Sequence, residues 1–402
     1  MARSDDGAVD VQRGDDASAQ PLWVVIPAGG IGSRLWPVSY PQRPKFLLPL
    51  LGTETLLQQT VARMAPLTTP GRTLVVCGPA HAAQVSRQLP SIPESGVIVE
   101  PGARGTGPAI ALAAAIIARE DPDALFGAFA ADHDVRDPLA LHAAVRSAIV
   151  AARDGWIVSI GIRPTTPDTG YGYIERTDEV IATLGEESVH RAVRFEEKPD
   201  LPTASRFLRS GKYLWHASMF VARVSTFLGE LERFEPALHE RVIAIADEWG
   251  DWSAEARIAN EWVTLDEGTV EKQVLERTSR MAVVPASIGW SDVGEWQRLA
   301  EVIGSDDRGN SILRHGRTDV LNEGVSNTIL WSEMSRPIAL VNVDNLVVID
   351  TPHTLLIADR SKIEDVREVA RLIDQAKEPP EPPRAQPPGD GEASPPDGSG
   401  QA

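Results

Sequence analysis

The run Val24-Val25-Ile26-Pro27-Ala28-Gly29-Gly30-Ile31-Gly32-Ser33-Arg34-Leu35-Trp36-Pro37 decides how this chain is read. The apolar stretch 22–27 reads as a strand that breaks at Gly29-Gly30, with a helix expected beyond the glycines. Glycines let a backbone approach an anion closely, and N–H groups at a loop-to-helix junction favour phosphate. Two common phosphate loops are absent. A Walker A loop needs a terminal Gly-Lys-Ser/Thr, and a G-x-G-x-x-G fingerprint begun at Gly30 finds Leu35 where its last glycine belongs. Leu35 thereby disfavours a nicotinamide-dependent oxidoreductase. Arg34 follows the glycines directly. Lys45 stands in Arg43-Pro44-Lys45-Phe46, and Pro37, Pro41 and Pro44 stiffen the intervening chain. A preorganised cation suits a phosphoryl group in transfer, because no reorganisation is needed as charge develops. The bland alternative is a Gly-Pro surface loop with solvated cations; the Arg34–Lys45 spacing favours the phosphate loop.

Outward from the loop, helix-like and strand-like segments alternate: helices at 56–64, 109–119 and 139–153, strands at 73–77, 125–130 and 156–162. This alternation predicts a mostly parallel sheet covered by helices. After about residue 308 the pattern changes. Short β-rich pieces at 320–322, 327–330, 338–343, 346–350 and 354–358 follow one another, with no helix before 364–376. They predict a small β-rich unit, either a few coils of a β-helix or an extra edge on the main sheet. The expected organisation is a polar tail over 1–20, an α/β domain over 21–305, the β-rich unit with its closing helix over 306–378, and a tail over 379–402. The last segment holds eight of the 31 prolines, and both tails are expected to be disordered.

The 402 residues suffice for about two domains with a substantial core. Asp plus Glu number 57 against 39 Lys plus Arg, a net charge of −18. That balance argues against a nucleic-acid binder and against a polybasic membrane anchor. An anionic small substrate must be held by a local cationic exception. The single cysteine, Cys77, excludes an intrachain disulfide and reads as a small buried hydrophobe. The longest apolar run, 109–118, is half the roughly 20 residues that span a bilayer. With no apolar leader core in the first twenty residues, a cytoplasmic location is expected.

Gly29-Gly30-Ile31-Gly32-Ser33-Arg34-Leu35-Trp36-Pro37 followed by Pro44-Lys45 resembles the signature of the sugar-nucleotide pyrophosphorylases, and its Leu-Trp-Pro variant resembles the mannose-1-phosphate guanylyltransferases. Further motifs carry the resemblance from about residue 22 to 375. It implies a Rossmann-like, GT-A-like mixed sheet and a left-handed β-helix-like C-terminal unit. Ala28, Gly29, Gly30, Gly32, Ser33 and Arg34 are then expected at the nucleotide, joined by Thr106 and Pro108 of the loop Glu100-Pro101 to Arg104-Gly105-Thr106-Gly107-Pro108. Gly105 and Gly107 depart from the usual pattern and are expected to add flexibility. Ala131-Asp132-His133 ends a strand, where ligands of open α/β sheets gather. The resemblance makes Asp132 a Mg²⁺ ligand, and Trp290-Ser291-Asp292-Val293-Gly294 makes Asp292 the other. Without it, each reads as a cap or turn acid.

Asp168-Thr169-Gly170-Tyr171-Gly172-Tyr173 resembles the sugar-binding turn and brings in Gly172. Phe195-Glu196-Glu197-Lys198-Pro199 implies Glu197 for sugar hydroxyls and Lys198 for the sugar phosphate. Read without the family, this box is a solvated charge run before a proline. His216 stands where the family usually has a sugar-binding Asn, Ser218 where it has Gly, and Glu271 where it has Asp. The implied reaction is GTP plus mannose 1-phosphate giving GDP-mannose and pyrophosphate, with Arg34, Lys45 and Lys198 as the catalytic cations and a homo-oligomer, a dimer, as the assembly. No cupin-type isomerase domain is expected. A pyrophosphorylase for another nucleotide–sugar pair, or a silent GDP-mannose-binding subunit, stays open at this stage.

Overall fold

In the computed structural model of the chain, residues 21–315 and 319–377 are described. The two expected disordered tails lie outside the described residues. Four strands open the fold: β1 (Trp23–Ala28), β2 (Thr73–Cys77), β3 (Val97–Val99) and β4 (Leu125–Phe129), all parallel, in the spatial order β3-β2-β1-β4. Alternation along β1 feeds two cores. Trp23 and Val25 face the Ala-rich helix Thr106–Glu120, whereas Val24, Ile26 and Ala28 join a second core with Phe46, Leu57 and Met64 that extends to the helix Pro138–Arg153. Cys77 is buried in the second core, as a small hydrophobe should be.

After the short β5 (Asp134–Val135), the sheet is continued by β6 (Ile157–Ile162), β7 (Gly172–Leu184), β8 (Glu187–Glu197), β9 (Tyr213–Arg223) and β10 (Met281–Ala286). The full order is β3-β2-β1-β4-β9-β6-β10-β8-β7. The expectation of a mostly parallel sheet therefore holds for one half only. β9 runs antiparallel to β4 and β6, and β7 and β8 form a hairpin in which Leu184 pairs with Glu187 across Gly185-Glu186. Gly185 adopts φ 63° there, the left-handed backbone that a tight hairpin turn demands. A further strand, β11 (Trp290–Ser291), pairs antiparallel with β5.

The C-terminal strands are β12 (Ser311–Arg314), β13 (Val320–Glu323), β14 (Ile329–Ser332), β15 (Ile338–Val341), β16 (Leu346–Asp350) and β17 (Leu355–Asp359). β12, β14 and β16 stack in parallel, as do β13 and β15. Each stack advances 18 residues, Ser311 lying beside Ile329 and Ile329 beside Val347. Residues at positive φ occupy the corners: Gly309, Asn327 and Asn345 in one row, Gly324 and Asn342 in another. These sheets are separate from the main sheet, so the unit is coiled and is not an added edge. It is not detached either. Ile329, Trp331, Val347 and Ile349 share a core with Leu35, Trp36, Leu48, Leu50 and Trp296. No helix among the described residues is long and apolar enough to cross a membrane.

Candidate active site

β1 delivers the glycine loop to the C-terminal edge of the parallel strands, where α/β sheets bind ligands. Ala28 is buried; Gly29, Gly30 and Ser33 are exposed. The expected helix does not form. A single 3-10 turn, Ser33–Leu35, follows the loop, because the prolines permit no longer run. The N–H groups that the glycine stretch offers an anion therefore belong to a loop, not to a helix end. Gly32 has φ 77°, and a Cβ there would lie 2.5 Å from Lys45 Cβ. The Lys45 N–H donates to Ile31 O at 3.0 Å. The glycine loop is thus the seat on which Lys45 is packed.

Lys45 is buried, and its ammonium donates to Asp132 Oδ2 at 2.9 Å and to the Asp292 carbonyl. Asp132 follows β4. Asp292 follows β11, and the β5–β11 register, Asp134 with Ser291, folds both aspartates onto one point. Burial alone would raise the Asp132 carboxyl, but the Lys45 and His133 charges hold it below the usual range. Tyr171 donates its O–H to Asp292 Oδ1 at 2.8 Å, and burial together with that carboxylate drives the phenol far up, so it stays a donor. The Tyr171 ring lies edge-on between Trp215 and Trp290, with the Arg298 guanidinium 5.8 Å from its centre. Arg298 is itself paired with Asp168 and Glu301.

No set of three potential metal ligands occurs among the described residues. The pair is nevertheless suited to a hard cation. A Cβ at Gly294 would lie 2.4 Å from Asp292 Oδ2, so the glycine leaves room around that oxygen. Two carboxylates completed by substrate phosphates are a common way to hold Mg²⁺.

Lys198 has φ 50° and hangs from Tyr171, its N–H donating to the Tyr171 carbonyl at 3.2 Å. Its ammonium reaches Glu197 Oε1 at 2.7 Å with the side chain 59% exposed. Gly172 faces Glu197 across the β7–β8 hairpin, and a Cβ there would lie 2.6 Å from Glu197 Oε2. Glu276 Oε1 accepts the Glu197 N–H at 2.7 Å. His216 is buried beside Phe195, with Nδ1 2.7 Å from Ser159 Oγ. Burial pulls its imidazole down to about 4, so the ring is neutral.

Thr106 opens the helix Thr106–Glu120, and its Oγ1 accepts the Val270 N–H at 3.2 Å; Pro108 is buried in the first turn. Gly105 and Gly107 are there for space, not flexibility. A Cβ at Gly105 would lie 2.2 Å from Gly268 O, and one at Gly107 would lie 1.7 Å from Gln273 Oε1. Gly105 also holds φ 88°. Glu100, past the end of β3, is buried with Oε2 lacking a hydrogen-bond partner, and burial raises its carboxyl to about 7.

The structure thus brings Lys45, Asp132 and Asp292 into contact, and ties Lys198, Glu197, Gly172 and His216 to them through Tyr171 and the β7–β8 hairpin. Arg34 is half-buried on the adjoining turn, near Glu295. Arg43, the other cation of the loop, is committed elsewhere: it makes a two-pronged pair with Glu333 of the C-terminal unit, both contacts 2.9 Å. Sequence reasoning missed Tyr171 as an anchor, although it lies inside the quoted turn. It also missed Asp168, which opens the same turn, and Arg298 and Glu276, which lie outside the quoted motifs.

A glycine loop and a buried lysine over two aspartates, at the edge of a mixed α/β sheet, define a nucleotide-handling transferase site. The nucleotidyl transferase family matches residues 23–308, and the chain belongs to it. It is 38% identical over 361 residues to the mannose-1-phosphate guanylyltransferase of Escherichia coli strain K12, covering 88% of this chain and 73% of that one. It is 37% identical over 358 residues, with the same two coverages, to the xanthan biosynthesis protein XanB of Xanthomonas campestris. Among solved structures, a Thermus thermophilus protein described as a mannose-1-phosphate geranyltransferase superposes with a TM-score of 0.77 at 30% identity, covering 88% of this chain and all of that chain (100%).

Proposed function

We propose that this chain is a mannose-1-phosphate guanylyltransferase, which makes GDP-mannose and pyrophosphate from GTP and mannose 1-phosphate. The observation that carries the reading is Lys45 held between Asp132 and Asp292 on the glycine loop, in a chain 38% identical to a relative of that name. An ammonium has three donors. Lys45 spends two on Asp132 and the Asp292 carbonyl, so one is left for a phosphate oxygen. Its fixed position means that this charge is in place before the reaction begins. Ala28, Gly29, Gly30, Gly32, Ser33 and Arg34 line the triphosphate, and Thr106 and Pro108 shape the nucleotide loop. Lys198, largely exposed beside Glu197, takes the sugar phosphate, while Gly172, Glu197 and His216 face the sugar.

The sugar phosphate is already anionic at neutral pH, so no general base is needed. Its oxygen attacks the α-phosphorus in line, the new O–P bond forms, and the bond to the β-phosphate oxygen breaks to release pyrophosphate. Catalysis is then mostly positioning and charge neutralisation. Asp132 and Asp292 would hold Mg²⁺, which when bound supplies charge compensation at the phosphates. A homo-oligomer, a dimer, is supported by the exposed apolar side chains Leu321, Val341, Leu355 and Ile357 on the C-terminal unit. A cytoplasmic location fits the charge and composition.

Pyrophosphate release, measured over a grid of nucleoside triphosphates and hexose 1-phosphates, tests the reading. The expected result is highest kcat/KM for GTP with mannose 1-phosphate. Preference for another pair would overturn the substrate assignment, and no release with any pair would overturn the enzyme.

A further inference from the structure

The imidazole of His216 presents an unusual combination. Nδ1 is engaged by Ser159 Oγ at 2.7 Å, while Nε2 is buried with no hydrogen-bond partner. Opposite Nε2, at 3.7 Å, stands Glu271 Oε1. That gap is too long for a hydrogen bond. The two side chains are 2% and 13% exposed, and Nε2 is closed off from bulk water. A buried polar atom left unpaired costs free energy of the kind that a ligand relieves on binding. Both groups are fixed from outside. The ring lies edge-on to Phe195, 5.2 Å between centres, on the bulged stretch of β9 where Ser159 pairs with Phe220 but Gly161 with His216. Glu271 begins the π-helical turn Glu271–Leu275, after which Glu276 holds the Glu197 backbone. Bulges and π turns both re-aim side chains near functional sites.

We propose that His216 and Glu271 act as one donor–acceptor clamp for a single hydroxyl of the sugar phosphate: the hydroxyl oxygen accepts from Nε2–H and its proton is given to Glu271 Oε1. Ser159 O–H donates to Nδ1 and so fixes the tautomer that leaves the proton on Nε2. The clamp determines specificity, because a sugar lacking that hydroxyl, or carrying it on the other face, leaves Nε2 buried and unpaired. It rests on the reading that a hexose 1-phosphate binds at this site.

The test is kcat/KM for mannose 1-phosphate and its 2-, 3-, 4- and 6-deoxy analogues, with wild type, His216→Ala, Glu271→Gln and the double variant. In wild type the deoxy position read by the clamp should lose about 100-fold. Both single variants should lose that discrimination at the same position, the double variant should add little to either, and KM for GTP should stay within about twofold. Glu271→Gln keeps side-chain volume and carries the test if His216→Ala fails to fold. Losses spread evenly over the four analogues, losses at different positions for the two variants, or unchanged discrimination would each overturn the clamp. Wild type that turns over mannose 1-phosphate with a flat deoxy profile refutes the clamp alone; wild type that turns over no hexose 1-phosphate refutes the reaction beneath it.

Discussion

Non-glycine residues at positive φ fall into two groups in this chain. Asn327, Asn342 and Asn345 turn the corners of the coils, and asparagine tolerates that backbone. Lys198 (φ 50°), Ser218 (φ 52°) and Val293 (φ 46°) are not so suited, and they lie at the lysine proposed for the sugar phosphate, the β9 bulge and the residue after Asp292. Strain of about 1–3 kcal/mol each persists where the surroundings impose it, and here those surroundings are the site. Gly32 is the complementary case. Gly32→Ala should destabilise by about 1–3 kcal/mol and cut turnover at least tenfold, since its Cβ would displace Lys45; melting curves and initial rates read both effects. Glu100 gives a pH signature. Burial lifts its folded carboxyl from 4.5 to about 7, so in that window the unfolded chain ionises while the folded chain keeps its proton. Stability from this group is present below 4.5 and lost as pH rises towards 7, by about 1.4 kcal/mol per unit. Glu100→Gln should therefore gain on wild type between about pH 5 and pH 7.5 in urea unfolding, and parallel curves would contradict the burial argument.

At the scale of elements, β1, β2 and β4 of the parallel half were legible from the sequence, whereas the three-residue β3 was not. Leu56–Met64, Thr73–Cys77 and Leu346–Asp350 fall where apolar periodicity places them. What was not legible is the antiparallel half. β7 and β8 are half-exposed and β9 is buried, and the partners of these motif-bearing strands are decided by a hairpin turn and by cross-sheet packing, not by local pattern. The glycine loop misled in one respect, since prolines cut its helix to one 3-10 turn. Site residues were legible singly and illegible as a site. The meeting of Asp132 with Asp292 depends on the two-residue β5–β11 pairing, which no local signal announces. Tyr171 holds the Asp292 carboxylate in place at that meeting. Tyr171→Phe removes one hydrogen bond to Asp292, worth about 1–1.5 kcal/mol, and should lower kcat about tenfold with KM for GTP little changed and melting within a few degrees of wild type.

Over the whole molecule, the two units share a core built on the signature loop itself. Leu35 and Trp36 are buried against the C-terminal coils, and Trp296 Nε1 donates to the Trp36 carbonyl at 3.2 Å. Trp331, from β14, packs edge-on to Trp296 with ring centres 5.7 Å apart. Arg43–Glu333 adds a polar clasp across the same junction. The coils therefore brace the loop that seats Lys45. Trp331→Ala, remote from the aspartates, should cost about 3–5 kcal/mol of stability and also lower turnover; an intact rate in a destabilised variant would show that the brace is mechanical only. The net charge of −18 is reconciled with a phosphate substrate in the same way, since a few cations are gathered at one edge by distant segments.

The central claim is that Lys45, pinned between Asp132 and Asp292, is the fixed charge on which nucleotidyl transfer depends. The most direct measurement is pyrophosphate release from GTP and mannose 1-phosphate by purified Lys45→Ala, with folding checked by circular dichroism and melting. The account predicts turnover reduced by several orders of magnitude in a folded protein. Turnover near wild type in that folded variant would contradict it.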